Sequence, residues 1–228
     1  MAKKVNKTDK QFANVEESLT KAGLFVERNQ KRLLIGLGSI IAIIAIYISI
    51  LNFYIAPREN QASSEMHLAE FYFMNNDFDK ALNGDSISGS NGFVYISENF
   101  GSTDAGNLSN YYSGICQINL GEYENAISSL NDFDTDDEIL YSLKTGLIGD
   151  ANFELGNMEE ALDFYTDAAT DYVNDFTTPY FMMKQAMLHE TNNDYAKSLE
   201  IYKTIKSDYF SSREGQDIER YISRASNN

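Results

Sequence analysis

Three aspartates in the run NDFDTDDE (131–138) have the spacing of calcium ligands. The D-x-D-x-D pattern of an EF-hand loop is matched by Asp132, Asp134 and Asp136. Two other required residues are missing, because position six is Asp137 rather than glycine and position twelve is Leu143 rather than glutamate. An alternative explanation is electrostatic, since acids just before a helix that begins near Ile139 stabilise its positive N-terminal end. We therefore expect no metal ion at this run.

The other residue types that could do chemistry are isolated in the sequence. Cys116 is the one cysteine of the chain, so it cannot form an intramolecular disulfide, and we expect a small buried hydrophobe. His67 and His189 each lack a second metal ligand at helical spacing, and we expect a helix-surface residue and a packing residue respectively. There is no glycine-rich phosphate loop, nucleophile elbow or Ser/His/Asp arrangement. The sequence predicts a protein that is not an enzyme, with no catalytic residue, no cofactor and no metal.

A four-position pattern repeats along the chain. It consists of a small residue, Gly or Asn seven residues later, a large residue two further on, and Ala or Ser three beyond that. The pattern fits the segments 69–81, 114–126, 149–161 and 186–198. Small residues at both ends let two antiparallel helices approach closely, and Gly or Asn suits the left-handed residue at a helix end. Each unit is thus predicted to be a helix–turn–helix pair.

The repeat distances identify the class of architecture. The last residues of successive units are 45, 35 and 37 residues apart, close to the period of about 34 of the tetratricopeptide repeat, which the pattern resembles. An inserted segment, 83–92, explains the longest distance, and 93–101 is predicted to form a displaced helical turn or two. Near the C-terminus, a helix with Ile218, Tyr221 and Ile222 on one face is typical of a capping helix. The alternative is an ordinary helical bundle with two similar hairpins.

An uncharged apolar run occupies residues 33–56. Its 24 residues exceed the roughly 20 that cross a bilayer as a helix. The run is longer than the apolar region of a signal peptide, and Tyr54 stands where a small residue would be needed for cleavage after Ala56. We therefore predict an uncleaved transmembrane helix rather than a signal peptide or a buried core helix.

Charge divides the chain on either side of this run. Residues 1–32 carry eight basic and four acidic residues, whereas the part after the run carries ten basic and thirty acidic ones. Because cytoplasmic flanks are rich in Lys and Arg, we expect 1–32 in the cytoplasm and 57–228 on the periplasmic side of a bacterial inner membrane. A net charge of −20 on the exported part argues against nucleic-acid binding.

The cytoplasmic segment has an apolar stripe of its own. The stripe consists of residues that recur every three or four positions, as one face of a helix requires: Phe12, Val15, Leu19, Ala22 and Val26. The stripe could dock on a partner or lie on the membrane surface, and the alternative is a weakly helical tail.

An anchored repeat array without an active site indicates protein binding. The first helices of stacked pairs line a concave surface. In the usual repeat geometry that surface would carry Met66, Glu70, Phe73, Tyr111, Ile115, Asn119, Asp150, Glu154, Met183, Met187 and Glu190. Methionines and aromatic residues suit an adaptable surface for extended chains, although some of these residues could pack against a neighbouring repeat or the capping helix.

The combined layout resembles a known family. A basic stub, the segment FVERNQKRLLIGLG entering one span, an acidic exported repeat domain and the ending SLEIYKTIKSDYFSSREGQDIERYISRA are similar to YfgM-type ancillary subunits of the SecYEG translocon. The resemblance implies a non-enzymatic, chaperone-like accessory protein that contacts exported polypeptides beside a SecY-type translocon. It also implies a possible partner, a membrane-anchored prolyl-isomerase-like chaperone. The alternative is a scaffold for cell division, outer-membrane insertion or secretion that binds a folded partner.

Overall fold

The computed structural model describes residues 7–227, with side chains from residue 23 onward. The described part is all-helical and contains no strand; one isolated bridge joins Asp85 and Ser90. The α-helices are α1 (Lys7–Ile50), α2 (Ala56–Met74), α3 (Phe78–Asn83), α4 (Phe93–Phe100), α5 (Asp104–Leu120), α6 (Tyr123–Asp132), α7 (Glu138–Glu154), α8 (Met158–Thr170), α9 (Thr177–Thr191), α10 (Tyr195–Asp208), α11 (Arg213–Gln216) and α12 (Ile218–Ser226). Two compact units divide the chain, 1–57 and 58–228. The all-helical class predicted from the sequence is confirmed.

The apolar run lies in α1 and the turn that follows it. This helical stretch is long and apolar enough to cross a membrane, and none of its most apolar window is buried against protein. A π-helical turn, Leu51–Ile55, separates α1 from α2, and the N–H of Ala56 donates to the carbonyl of Leu51. Because Pro57 has no N–H and its ring would crowd the carbonyl of Phe53, the wider turn accommodates a proline inside the helical path. Of the stub's stripe, the side chains of Phe12, Val15, Leu19 and Ala22 lie outside the described residues.

All four predicted turns have the same backbone geometry. The residues at the Gly/Asn position have positive φ, with values of 59°, 80°, 82° and 59° at Asn76, Gly121, Gly156 and Asn193. At each turn the next N–H reaches back five residues, as from Asp77 to the Tyr72 carbonyl at 2.9 Å and from Glu122 to the Gln117 carbonyl at 2.8 Å. These are the bonds of a Schellman motif, which closes one helix and redirects the chain into the next.

The large residue of each unit begins the second helix of its pair. The helices α3, α6, α8 and α10 begin at Phe78, Tyr123, Met158 and Tyr195. The small residues are also buried as the pattern predicts. Relative exposure is 0 % at Ala69, Ala81, Ala126, Ala161, Ala186 and Ser198, and Gly114 and Gly149 are buried.

Three hydrophobic clusters lie along the 58–228 unit. The first surrounds Phe93, whose ring stacks on Tyr112 with centroids 5.0 Å apart, and it includes Cys116 at 0 % exposure. The second lies around Tyr165 and Phe181 between α8 and α9. The third packs Tyr202 and Ile205 of α10 against α12. The chain thus builds its core in successive portions along the sequence.

The insertion forms an ordered loop beside α2. Asp85 and Ser90 exchange both backbone hydrogen bonds, at 3.0 and 3.1 Å. The Tyr72 hydroxyl donates to the Asp85 carboxylate at 2.8 Å, which fixes the loop to the helix. After it, 93–100 forms the two-turn α4, which confirms the displaced helical segment expected there.

The C-terminal helix packs as its pattern predicts. Ile218 is 1 % exposed, and Tyr221 and Ile222 pack against the same cluster on α10. Exposed positions of α12 carry Glu219, Arg220 and Arg224. The helix therefore covers apolar residues of α10 with one face and presents charge with the other.

Candidate protein-binding surface

A cleft lies across the first helices of three successive pairs. Ile118 comes from α5, Phe153 and Glu154 come from α7, and Met187 and Thr191 come from α9. Its volume is about 370 Å³. We call it the α7–α9 cleft. Its lining is apolar at Ile118, Phe153 and Leu188, so it offers hydrophobic surface with polar groups at the side.

A partly buried polar cluster forms one wall of this cleft. The Lys184 ammonium lies 2.6 Å from Oδ1 of Asp150, and the Tyr165 hydroxyl donates to the same oxygen at 2.7 Å. The ammonium also lies over the rings of Tyr165 and Tyr180, at 5.6 and 5.2 Å from their centroids. Burial, assisted by the Asp150 charge, raises the pKa of Tyr165, so its hydroxyl stays protonated and remains a donor. The cluster therefore fixes Lys184 in place before any ligand binds.

Two further clefts share the side chain of Met187. One lies beside Tyr195 and Arg224, and the other lies beside Met183 and Tyr221. Met187 is 41 % exposed and is thus the central accessible side chain of the α9 face. A polypeptide crossing this face would contact a flexible thioether in all three clefts.

The structure brings together the predicted residues of the last two units. Asp150, Glu154, Met183, Met187 and Glu190 all line one or another of the three clefts. Glu190 has only 12 % of its side chain exposed, because Arg224 of α12 forms an ion pair with it. Burial and the nearby Glu190 raise the pKa of Tyr202, beneath this pair, to about 12. Glu190 therefore holds α12 and is largely covered where it borders the cleft.

The predicted residues of the first unit are not an accessible surface. Met66 is 5 % exposed and belongs to the first hydrophobic cluster. The Phe73 ring packs edge-on against Tyr112 with centroids 5.0 Å apart. Glu70 is half-buried, with an oxygen 3.7 Å from Nδ1 of His67. The helical spacing assigned Met66 to an open face, but α4 adds packing partners on that side, and Met66 is buried.

The predicted residues of α5 have mixed positions. The Tyr111 ring lies against Phe133 with centroids 5.2 Å apart, and burial raises its pKa. Ile115 is half-buried, and the exposed Asn119 donates its amide to the Ile115 carbonyl at 2.8 Å. The α5 residue that lines the cleft is Ile118. Ile118 was not predicted because the predicted residues of α5 are four positions apart, whereas Ile118 follows Ile115 by three.

Lys184 and Tyr165 were also not predicted from the sequence as residues of this surface. A signal for Lys184 was present, because Asp150 precedes it by 34 residues, close to the period of the tetratricopeptide repeat that the pattern resembles. The Glu190–Arg224 pair has the same separation of 34 residues. In both pairs, opposite charges 34 residues apart join the first helix of a pair to a later helix, α7 to α9 and α9 to α12.

The isolated reactive residues are placed as expected. The His67 side chain is 80 % exposed on α2, whereas His189 is 7 % exposed inside α9. Burial raises the pKa of Cys116 to about 12, so its thiol stays neutral and is a poor nucleophile.

The aspartate run caps a helix. Asp137 accepts hydrogen bonds from the N–H groups of Ile139 and Leu140, both at 2.9 Å. Within the described residues, no group of three or more His, Cys, Asp or Glu side chains is arranged to hold a metal ion.

No family model and no curated protein matches this chain.

Proposed function

We propose that this chain is a membrane-anchored, non-enzymatic protein-binding protein whose helix pairs form a tetratricopeptide-repeat solenoid. The observation that carries the proposal is the α7–α9 cleft, because α5, α7 and α9 of successive pairs each contribute to one apolar depression. The common turn geometry of the four pairs supports the repeat architecture. A preformed Asp150–Lys184 pair beside accessible Met187 suits a ligand that offers both apolar side chains and backbone polar groups.

The proposed location is a bacterial inner membrane, with residues 33–56 as a single span. Support comes from the length and apolar character of the helix and from the excess of basic residues before it. In this arrangement residues 1–32 are cytoplasmic and 57–228 are periplasmic.

The more specific proposal is an accessory role beside a SecY-type translocon. It rests on the family resemblance of the stub, span and acidic domain. The anchor would hold the cleft near emerging exported polypeptides and so raise the effective concentration of one for the other. A membrane-anchored prolyl-isomerase-like chaperone is the second proposed partner. A scaffold that binds one folded envelope partner in the same cleft is the competing function.

Site-specific photo-crosslinking in living cells tests the proposed function. A photoreactive residue at position 187 is expected to give short-lived adducts with many exported polypeptides, together with a translocon subunit. The same residue at position 160, on the exposed side of α8, is the matched control and should give few adducts. One stoichiometric adduct with a folded protein would instead support the scaffold. Equal adducts from both positions would contradict binding in the cleft.

Protease protection tests the proposed topology. Protease added to spheroplasts should remove the acidic domain and leave a short stub, and the protein should resist carbonate extraction. Replacing the four basic residues nearest the span, Lys21, Arg28, Lys31 and Arg32, by Gln should invert a fraction of the chains. Complete protection of the wild-type domain in intact spheroplasts would overturn the orientation.

A further inference from the structure

The outward face of α2 carries no Asp, Glu, Lys or Arg. The exposed positions of α2 and of the residue after it are Ala56, Pro57, Asn60, Gln61, Ser64, His67, Leu68, Phe71, Met74 and Asn75. Leu68, Phe71 and Met74 are 45, 56 and 74 % exposed. We call these ten residues the α2 face. Large apolar side chains in such a row are unusual on a surface that only water contacts.

Among the charged residues of α2, Arg58 and Glu59 are turned away from this face and are paired, whereas the half-buried Glu70 borders it, with an oxygen 3.7 Å from Nδ1 of His67. Glu59 accepts hydrogen bonds from the N–H groups of Asp104 and Ala105, at 2.7 and 3.2 Å. Arg58 donates to the Asn99 carbonyl and lies over the Phe100 ring. Since Arg58 and Glu59 are directed toward α4 and α5 and Glu70 is half-buried, the exposed positions of the α2 face carry no charged side chain of α2.

Other exposed helix faces of the domain are charged. Helix α8 exposes Glu159, Glu160, Asp163 and Asp167. Residues 57–228 carry thirty acids and ten bases, so two such domains repel each other over most of their surface. The α2 face lets two copies approach without bringing like charges together.

We propose that the α2 face binds the α2 face of a second copy of this chain. Its residues Ser64, His67, Phe71 and Met74 recur at spacings of three and four, as in a helix–helix seam. The apolar segment independently favours a second helix as its neighbour. Among its isoleucines, small residues recur at spacings of four, three and four: Gly38, Ala42, Ala45 and Ser49. Helices in lipid associate through such small residues.

The dimer rests on the proposed anchor in two respects, the contact between spans in lipid and the common orientation of the two copies. Two copies anchored in one membrane with the same orientation are related by a two-fold axis along the membrane normal, so residues of the α2 face near that axis lie opposite their own equivalents. A lipid surface is the less suitable occupant, because anionic headgroups repel a domain of charge −20. Dimerisation is independent of what the α7–α9 cleft binds.

Cysteine crosslinking of the full chain in lipid nanodiscs or native membranes tests the pairing. Mild oxidation of Ser64→Cys and Phe71→Cys should trap a disulfide-linked dimer, whereas Glu160→Cys, exposed on α8, should remain largely monomeric. The native Cys116 can stay in place because it is buried and its thiol is neutral. Equal dimer yields at all three positions, or none at any, would overturn the proposal.

Charge exchange at Phe71 identifies the occupant. Phe71→Glu and Phe71→Lys should each reduce co-purification of two differently tagged copies at least tenfold, because each places like charges opposite one another. Co-expression of the Glu and Lys variants should restore it. Failure to restore would overturn a second copy as the occupant and indicate a different protein or the lipid surface. Unchanged melting temperatures would show that both variants fold, and unchanged crosslinks from position 187 would show that the proposed cleft function is unaffected.

Discussion

The inner and outer helix pairs form the same turn with different residues at the packing and turn positions. The inner pairs, α5–α6 and α7–α8, have glycine at both the packing position and the turn, whereas the outer pairs, α2–α3 and α9–α10, have alanine and asparagine there. All four turns nonetheless have positive φ and the same hydrogen bonds. The backbone geometry of the unit is therefore maintained by more than one choice of side chain.

The difference lies in how closely the paired helices approach. A Cβ at Gly114 would lie 2.5 Å from Cγ of Leu130, and one at Gly149 would lie 2.9 Å from the Tyr165 ring. The equivalent residues of the outer pairs, Ala69 and Ala186, have a Cβ and are fully buried. The inner pairs thus have no space for a methyl group at the packing position. In the outer pairs, the methyl group of the alanine fills the corresponding space.

The largest predicted effect is overpacking of an inner pair. Gly114→Leu or Gly149→Leu should lower the free energy of unfolding by more than about 2 kcal/mol, because the side chain must displace Leu130 or Tyr165. Ala186→Gly in an outer pair should cost only about 0.5–1 kcal/mol. Denaturant unfolding of the full chain in detergent measures both. Equal stability of Gly114→Leu and the wild type would contradict the assigned packing position.

A smaller effect is expected at the turns. Gly121→Ala or Gly156→Ala should cost about 1 kcal/mol, because an L-residue is strained at φ near 80° although open space surrounds the position. Asn76→Gly or Asn193→Gly should change stability by less than about 0.5 kcal/mol, since asparagine already tolerates this conformation. A larger loss at the asparagines than at the glycines, measured by the same unfolding experiment, would show that the turns are not equivalent.

The fourth pair has a titratable side chain where the inner pairs have amides, and we expect it to respond to pH. At the position whose carbonyl accepts the long turn hydrogen bond, the inner pairs have Gln117 and Asn152, and the fourth has His189. Burial lowers the pKa of His189, and the Asp194 carboxylate opposes that shift. Because the folded-state pKa lies below that of the unfolded chain, His189 favours folding above an unfolded pKa of about 6.5, and this contribution is lost as pH falls.

The pH effect can be isolated by one substitution. Lowering the pH from about 7.5 to about 5.5 should reduce the melting temperature more in the wild type than in His189→Gln. Glutamine is the matched replacement, because it is the native residue at the equivalent Gln117. The same drop in both proteins would assign the acid sensitivity to other groups.

The sequence predicted the helix pairs well because their constraints are local. A left-handed turn needs Gly or Asn, and a close helix contact needs a small residue, so Asn76 and Asn193 were recognisable without knowledge of the fold. The binding surface depends on contacts between units, which helical spacing does not encode. Met66 and Glu190 lie on the predicted side of their helices, but α4 and α12 cover that side. Lys184 was recognisable only as an opposite charge 34 residues after Asp150.

The smallest predicted effect concerns the aspartate run between the inner pairs. Millimolar calcium should leave the melting temperature of the full chain nearly unchanged, since the Asp137 carboxylate is already bonded to the first N–H groups of α7. An ion bound only by the folded state would stabilise it, so a rise of several degrees that a chelator reverses would reveal a site. Asp137→Ala should instead lower the stability by about 1 kcal/mol through loss of the helix cap. Calcium-independent loss in this variant would assign the run a structural role in joining the two inner pairs.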